Sequence, residues 1–398
     1  MTTTTSDRRV LDLLDPHWYA TNPHDDYTWM RSNEPVYRDD RNGLWGLSRH
    51  ADVFFAERHA DVFSSQGHYR AVPEPMEANM IASDDPRHQQ QRRLVAGQFT
   101  PRAVRDRNGD LLRSIIDELV DRVADNGQME VVDDLAGQLP GRTTAHLLGL
   151  PQDRWRDVKS WSERLMRIDM RMRDEQAMED LFHANVEFAT EFMGIFADRR
   201  ACPMDDLASI WANAEIDGQP LDDMTMFHEV GLFIAGGAET TRTTIAHGLR
   251  AFCDHPDQWE LLYREPERIP VAIEEIVRWV TPLNQFFRRV TRDIELGGVR
   301  LRENDRVVLL YPSANRDEDV FDEPFRFDVT RDPNHHLAFG NGTHFCLGAN
   351  FARLSLATLF GALTQRITNL RVTSEPDVEP NIFARAVRRF DLAFDVRQ

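Results

Sequence analysis

The feature that most restricts how this chain can fold is a run of helical periodicity over residues 222–254. Phe227, Val230, Leu232, Phe233, Ile234, Ile245 and Leu249 recur at helical spacing, and Asp254-His255-Pro256 supplies a stop. At ~1.5 Å per residue such a helix is about 45–50 Å long and crosses a whole domain. Its middle is then largely buried, and that middle reads Ala235-Gly236-Gly237-Ala238-Glu239-Thr240-Thr241. Two adjacent glycines inside a helix cost roughly 1 kcal/mol each relative to alanine. Something must offset that cost, and close approach of a flat ligand is a candidate.

The rest of the pattern predicts a mainly α chain with a minor β region. Val36-Tyr37 and Leu44–Leu47 flank a turn sequence and predict a hairpin. Helical spacing dominates from Arg87 to about 250 and returns at about 267–280 and 349–366. Arg306–Leu310 reads as a strand, Ala314–Pro333 as an irregular meander, and the tail as a hairpin. With no repeat or linker, residues 1–398 are expected to form a single domain, with residues 1–10 disordered.

A formal net charge of −19 argues against nucleic acid or an anionic membrane as partner. Lys159 is the only lysine. Codon bias in a GC-rich genome accounts for that, a salt-adapted surface being the alternative. Cys202, Cys253 and Cys346 cannot build a disulfide framework, so a reducing cytoplasmic setting is expected. Met1–Pro23 lacks the apolar run of a signal peptide or membrane anchor.

The most informative segment is Phe339-Gly340-Asn341-Gly342-Thr343-His344-Phe345-Cys346-Leu347-Gly348-Ala349. It sets a cysteine between a tight turn and a helix N-terminus, where backbone N–H groups and the helix dipole favour a thiolate. Gly342 and Gly348 permit unusual backbone angles and close approach of a planar group. A thiolate so placed is a good axial ligand for haem iron. Paired cysteine spacing for zinc is missing, and no conspicuous cysteine-protease signature surrounds Cys346. Cys202 and Cys253 read as small buried hydrophobes.

This segment resembles the haem-binding loop of the cytochrome P450 family, Phe-x-x-Gly-x-His/Arg-x-Cys-x-Gly, through Phe339, Gly342, His344, Cys346 and Gly348. The resemblance extends over nearly the whole chain. It implies a triangular helical prism whose long central helix lies over haem b, with Cys346 as the metal ligand and Ala235 and Gly236 against the cofactor. Glu275-Ile276-Val277-Arg278 resembles the family's Glu-x-x-Arg, with Arg326 in the meander as third member and structural support. Asp84–Arg92 resembles the helix start whose His88 and Arg92, one turn apart, hold a haem propionate. Arg288 matches a further propionate contact, with Arg289 next door as the competing register, and His344 supplies another.

Gly236-Gly237-Ala238-Glu239-Thr240 resembles the family's [Ala/Gly]-Gly-x-[Asp/Glu]-Thr, which implies Glu239 and Thr240 as the catalytic pair. An acid beside an alcohol at a helix groove can relay protons to the reacting dioxygen without admitting bulk water. The implied reaction is a monooxygenation that inserts one oxygen atom from dioxygen into a C–H bond. Electrons would come from NAD(P)H through a separate ferredoxin and ferredoxin reductase, docking near Arg102, Arg105 and Arg353. By family position the substrate pocket draws on residues 66–83, including Val72, Met76, Met80 and Ile81, on Phe233, Ala238, Leu283, Phe286 and Phe287, and on Asn381–Phe383. Its apolar composition predicts an apolar small molecule with few polar handles. Asn315–Arg353 is most similar to actinobacterial enzymes that hydroxylate steroid side chains and branched lipids, with terpenoid or fatty-acid hydroxylation, or a haem-thiolate step of natural-product biosynthesis, as the alternative. The tail Asn381–Arg385 departs from those enzymes at a pocket position. A soluble, cytoplasmic monomer is expected.

Overall fold

In the computed structural model, which describes residues 9–170 and 174–397, the central periodicity becomes one helix, Asp223–Asp254, of 32 residues. Asp222 caps it by accepting from the Thr225 N–H at 2.8 Å, and His255-Pro256 ends it and starts the next helix. Three helices pack along it: Gln138–Leu148, Trp155–Leu165 and Ile269–Val280. The last helix, Ala349–Arg366, lies against Pro101–Ala124 and Ile269–Val280. The expected disordered terminus falls mostly outside the described residues. Within it Arg9 is paired with Asp26 at 2.6 Å, and Val10 is exposed.

The Val36–Asp39 and Leu44–Leu47 hairpin forms as expected and is extended into a five-stranded sheet. Arg306–Leu310 runs parallel to Leu44–Leu47 and antiparallel to Gln285–Val290, with Val308 opposite Phe287. Phe63-Ser64 closes the sheet beside Val290. The tail pairs Ile367–Val378 with Val387–Val396 and adds Gln128–Glu130 at the edge.

The two adjacent glycines of the central helix have separate reasons. A Cβ on Gly237 would stand 2.8 Å from the Thr144 hydroxyl of helix Gln138–Leu148, so close helix approach requires glycine there. At Gly236 a Cβ would meet nothing within 4 Å, because that position opens into a cavity.

Cys253 is half-buried beside the main core, and burial pushes its thiol up to about 12. Cys202 corrects the expectation of a buried hydrophobe. It follows the exposed end of helix Glu175–Ala201 and is itself exposed.

Candidate active site

A large cavity lies between the central helix and the cysteine loop. The loop hydrogen-bonds to itself, Cys346 N–H to Phe339 C=O at 2.8 Å and Phe345 N–H to Gly342 C=O at 3.2 Å. Cys346 faces the cavity beside Phe339, Leu347 and Gly348. Burial pushes its thiol up, opposed by the Gly348 N–H and by the charges of Arg92 and Arg353. Gly342 is not part of the lining. At φ +66° it presses onto the backbone carbonyl of Glu57, so a Cβ there would collide with helix His50–Arg58. Its work is to seat the loop rather than to touch a cofactor.

His88, Arg92, Arg288 and His344 all reach the cavity. The two imidazoles stand 4.4 Å apart, and each has a buried Nε2 without a partner. Burial and neighbouring arginines hold His344 well below the usual histidine range. Arg92 donates to the Phe345 carbonyl at 2.7 Å, and Arg288 lies 3.5 Å from Glu57. Ala235, Gly236, Phe339 and Gly348 complete this wall, and neither Gly236 nor Gly348 has anything within 4 Å where a Cβ would project. A thiol, a cationic edge with orphaned donors, and glycine-smooth walls fit a flat, iron-bearing dicarboxylate such as haem. Arg289 instead bonds Asn304 at 3.1 Å and does not line the cavity, whereas Arg288 does.

The strand period explains one correction. Phe286 and Arg288 point into the cavity, whereas Phe287 points to the opposite face. It is fully buried among Leu13, Met30, Tyr37 and Ile382, not in the pocket. The helix period explains another. Phe233, Gly236, Gly237, Thr240 and Thr244 share the cavity face, while Ala238, about 200° round from Gly236, faces the opposite side. Met80, Ile81, Phe233, Leu283, Phe286 and Phe383 line the cavity as expected, but Val72 and Met76 do not, and Met76 is 81% exposed.

Glu239 and Thr240 diverge for the same reason, being successive residues on a helix. Thr240 lines the cavity and donates to the Gly236 carbonyl at 2.8 Å. Glu239 sits outside it at a small neighbouring void, paired with Arg242 at 2.5 Å and accepting from Thr243 at 3.1 Å. Arg242 continues to Glu163, which pairs with Lys159 at 3.0 Å. Burial raises the Glu239 pKa against the pull of Arg242.

The brace beneath the loop is Glu275 with Arg278, both fully buried and joined by two bonds of 2.7 and 2.8 Å. Arg326 is not its third member. Its side chain is exposed and pairs with Glu323, and only its backbone carbonyl reaches the brace. Arg331 fills that place, with Nε 3.2 Å from Glu275 and further bonds to three meander carbonyls. Of the three arginines expected at a docking surface, Arg102 and Arg105 are exposed beside Asp106. Arg353 is committed to Glu274 at 2.7 Å and packs over Phe339.

Sequence reasoning missed several lining residues, chiefly Glu57, Thr144, Met166 and Tyr311. Arg70 lies inside the stretch assigned to the pocket, where the apolar positions drew attention away from the charge.

The family model described as Cytochrome P450 matches residues 152–389. A steroid C26-monooxygenase of Mycobacterium tuberculosis is 39% identical over 93% of this chain and 92% of its own length. One from Rhodococcus jostii is 35% identical over 92% and 80%. The solved structure of a Mycobacterium marinum cytochrome P450 in complex with pseudoionone superposes with TM-score 0.89 at 32% identity, covering 98% of this chain and all of that one. The shared architecture extends across both chains, and the sequence identity persists outside the cysteine loop. The chain therefore belongs to the cytochrome P450 family and is a haem-thiolate monooxygenase.

Proposed function

We propose that Cys346, as thiolate, binds the iron of haem b, and that the enzyme hydroxylates a C–H bond of a steroid or methyl-branched lipid. The observation that carries the site is a half-buried cysteine facing a cavity whose rim holds Arg92, Arg288 and two histidines whose Nε2 atoms have no partner among the described residues. Those four side chains would hold the haem carboxylates through charge-assisted hydrogen bonds. Bound haem supplies the redox chemistry, activating dioxygen with two electrons from NAD(P)H so that one oxygen atom enters the substrate.

The remaining tasks fall to the chain. Burial disfavours the Cys346 thiolate, and the iron of a bound haem would supply the positive charge that offsets this. Arg278, Arg331 and Glu275 keep the meander rigid beside the loop. Thr240 presents a hydroxyl to the reaction space while donating to Gly236. Glu239 is the proton source, held one helix face away by Arg242 and Thr243. Delivery requires its carboxyl to release those partners and swing toward Thr240. Leu232, Phe233, Met80, Ile81, Leu283 and Phe383 provide an apolar wall that positions the substrate and excludes water.

The steroid assignment draws on the relatives' named activity and on this lining; terpenoid and fatty-acid skeletons are the alternatives. A ferredoxin and its reductase would deliver electrons near Arg102 and Arg105. No described helix is long and apolar enough to cross a membrane, and the setting proposed is a single-domain monomer in the cytoplasm. The test measures NAD(P)H-linked oxygen uptake with a ferredoxin system, alongside ferric spin-state shifts with steroids, fatty acids and terpenoids. Glu239→Gln and Thr240→Ala should each cut product formed per dioxygen consumed. Undiminished coupling in both would remove the proton-delivery assignment.

A further inference from the structure

Arg70 is a charged residue lining the cavity whose chemistry the proposed reaction does not use. It is only 7% exposed, yet it reaches the cavity beside Tyr69 and Phe383. Its guanidinium lies over the Phe383 ring, 4.1 Å from the centroid. Two of its three nitrogens are engaged. Nε donates to the Tyr69 hydroxyl at 3.2 Å, and Nη1 donates to Asp169 at 3.3 Å. Nη2 has no partner. The Tyr69 hydroxyl donates onward to Glu77 at 2.7 Å, and Asp169 also accepts from the Val72 N–H at 3.2 Å.

A buried arginine with an unused donor invites an acceptor. The neighbouring charges decide which kind. Asp169 meets Arg70 directly, Glu77 lies behind Tyr69, and Arg306 approaches through its bonds to the Arg70 and Ala71 carbonyls. Among the described residues two carboxylates thus face two guanidiniums, and the cluster is balanced. An added carboxylate would be an unmatched buried charge, whereas a neutral carbonyl or hydroxyl oxygen would satisfy Nη2 without upsetting the balance. Position matters as well. Arg288, on the cofactor side, lies 5.8 Å from the Phe286 ring, and Phe286 stacks edge-on to Phe383 at 5.2 Å. Two aromatic rings therefore separate the cationic rim of the cofactor site from Arg70.

We infer that Arg70 is a substrate-recognition residue that donates through Nη2 to a neutral oxygen, a ketone or hydroxyl, at the end of the apolar skeleton remote from the oxidised carbon. This deepens the substrate assignment above and rests on the cavity being the substrate site. It replaces an apolar molecule with few polar handles by one with a single oxygen handle at its far end.

The test uses the haem-loaded protein and probes independent of the natural skeleton. They are ω-imidazolyl alkanes of graded length ending in a methyl group, a methyl ketone or a carboxylate. The imidazole reports binding through the haem absorption spectrum. At the chain length that reaches Arg70, the ketone should bind about tenfold tighter than the methyl-ended probe, the size expected of one hydrogen bond to a charged donor. The carboxylate should show no such gain. Arg70→Met should erase the ketone preference while leaving the methyl-ended probe's affinity within about twofold. Asp169→Asn, which keeps an acceptor for Val72 but unbalances the cluster, should turn the preference toward the carboxylate. No ketone preference at any length in the unaltered enzyme, or an equal one in Arg70→Met, overturns the inference. A carboxylate preference in the unaltered enzyme overturns the charge-balance argument. Failure of the steroid assignment would show separately, as steroids that cause no spin-state shift while the ketone preference stands.

Discussion

Replacing Arg331 by alanine should damage the protein far more than replacing Arg326, although the meander motif singles out Arg326. Arg331 has a side chain 11% exposed, an ion pair to Glu275 at 3.2 Å, and bonds to the carbonyls of Asp322, Glu323 and Arg326. Glu275 is fully buried, so losing one of its cations leaves charge that Arg278 alone must balance. Removing one partner of a buried pair costs about 3–5 kcal/mol. Arg278 remains in place here, so about 2–4 kcal/mol is the reasonable range. Arg326 and Glu323 are 58% and 71% exposed, so solvent screens the pair and its loss should be felt little. At ~2.1 cal/mol/K of unfolding entropy per residue, a chain this size loses about 1.2 °C of Tm per kcal/mol. Arg331→Ala should therefore lower Tm by about 2–5 °C, and Arg326→Ala by less. Thermal unfolding followed by circular dichroism, with haem retention measured in parallel, checks both. Equal losses, or a larger one for Arg326→Ala, would refute the assignment of Arg331 to the brace.

Cys346→His should abolish the thiolate-type absorption band of the reduced carbon monoxide complex, and survival of that band would sink the iron-ligand assignment. Phe287→Ala should cost about 3–5 kcal/mol in denaturant unfolding because it empties a core position. Phe286→Ala should chiefly weaken substrate-induced spectral shifts, so equal ligand-binding losses in the two would contradict the strand-face argument. Glu229, buried in the central helix and accepting from the Met80 N–H at 2.9 Å, is raised to about 8 by burial. The folded state holds a proton there that the unfolded chain releases above its ordinary carboxylate pKa. Stability contributed by this proton is therefore full at low pH and lost as pH rises toward about 8. Glu229→Gln should leave stability near pH 4 little changed and raise it at pH 8 by a few kcal/mol, in the order of the pKa shift. Parallel stability profiles for the two proteins would show that the shift is not there.

Local rules carried much of the fold. The Val36–Leu47 hairpin and the helices Asp223–Asp254 and Ala349–Arg366 follow directly from periodicity and stop signals. Residues placed by fixed short spacing, such as His88 with Arg92 and His344 with Cys346, also reach one cavity. The misplacements arise where facing is decided by packing. Ala238 and Phe287 belong to the right elements but the wrong sides, because a motif names positions and not the rotation or pleat that aims them. Arg331 was missed because an irregular meander has no period from which a side-chain direction can be read. Arg70 needed the tertiary structure: its partner Asp169 is distant in sequence, and no local pattern joins them.

The brace also has an order along the chain. Among the described residues every group bonded to the Glu275 carboxylate, Arg278, Asp328, Arg331 and Asn334, precedes Cys346. Synthesis from the N-terminus thus completes these donors for the buried carboxylate before the Cys346 thiol exists. The hydrogen bonds that satisfy Glu275 therefore draw on no residue of the cysteine loop itself.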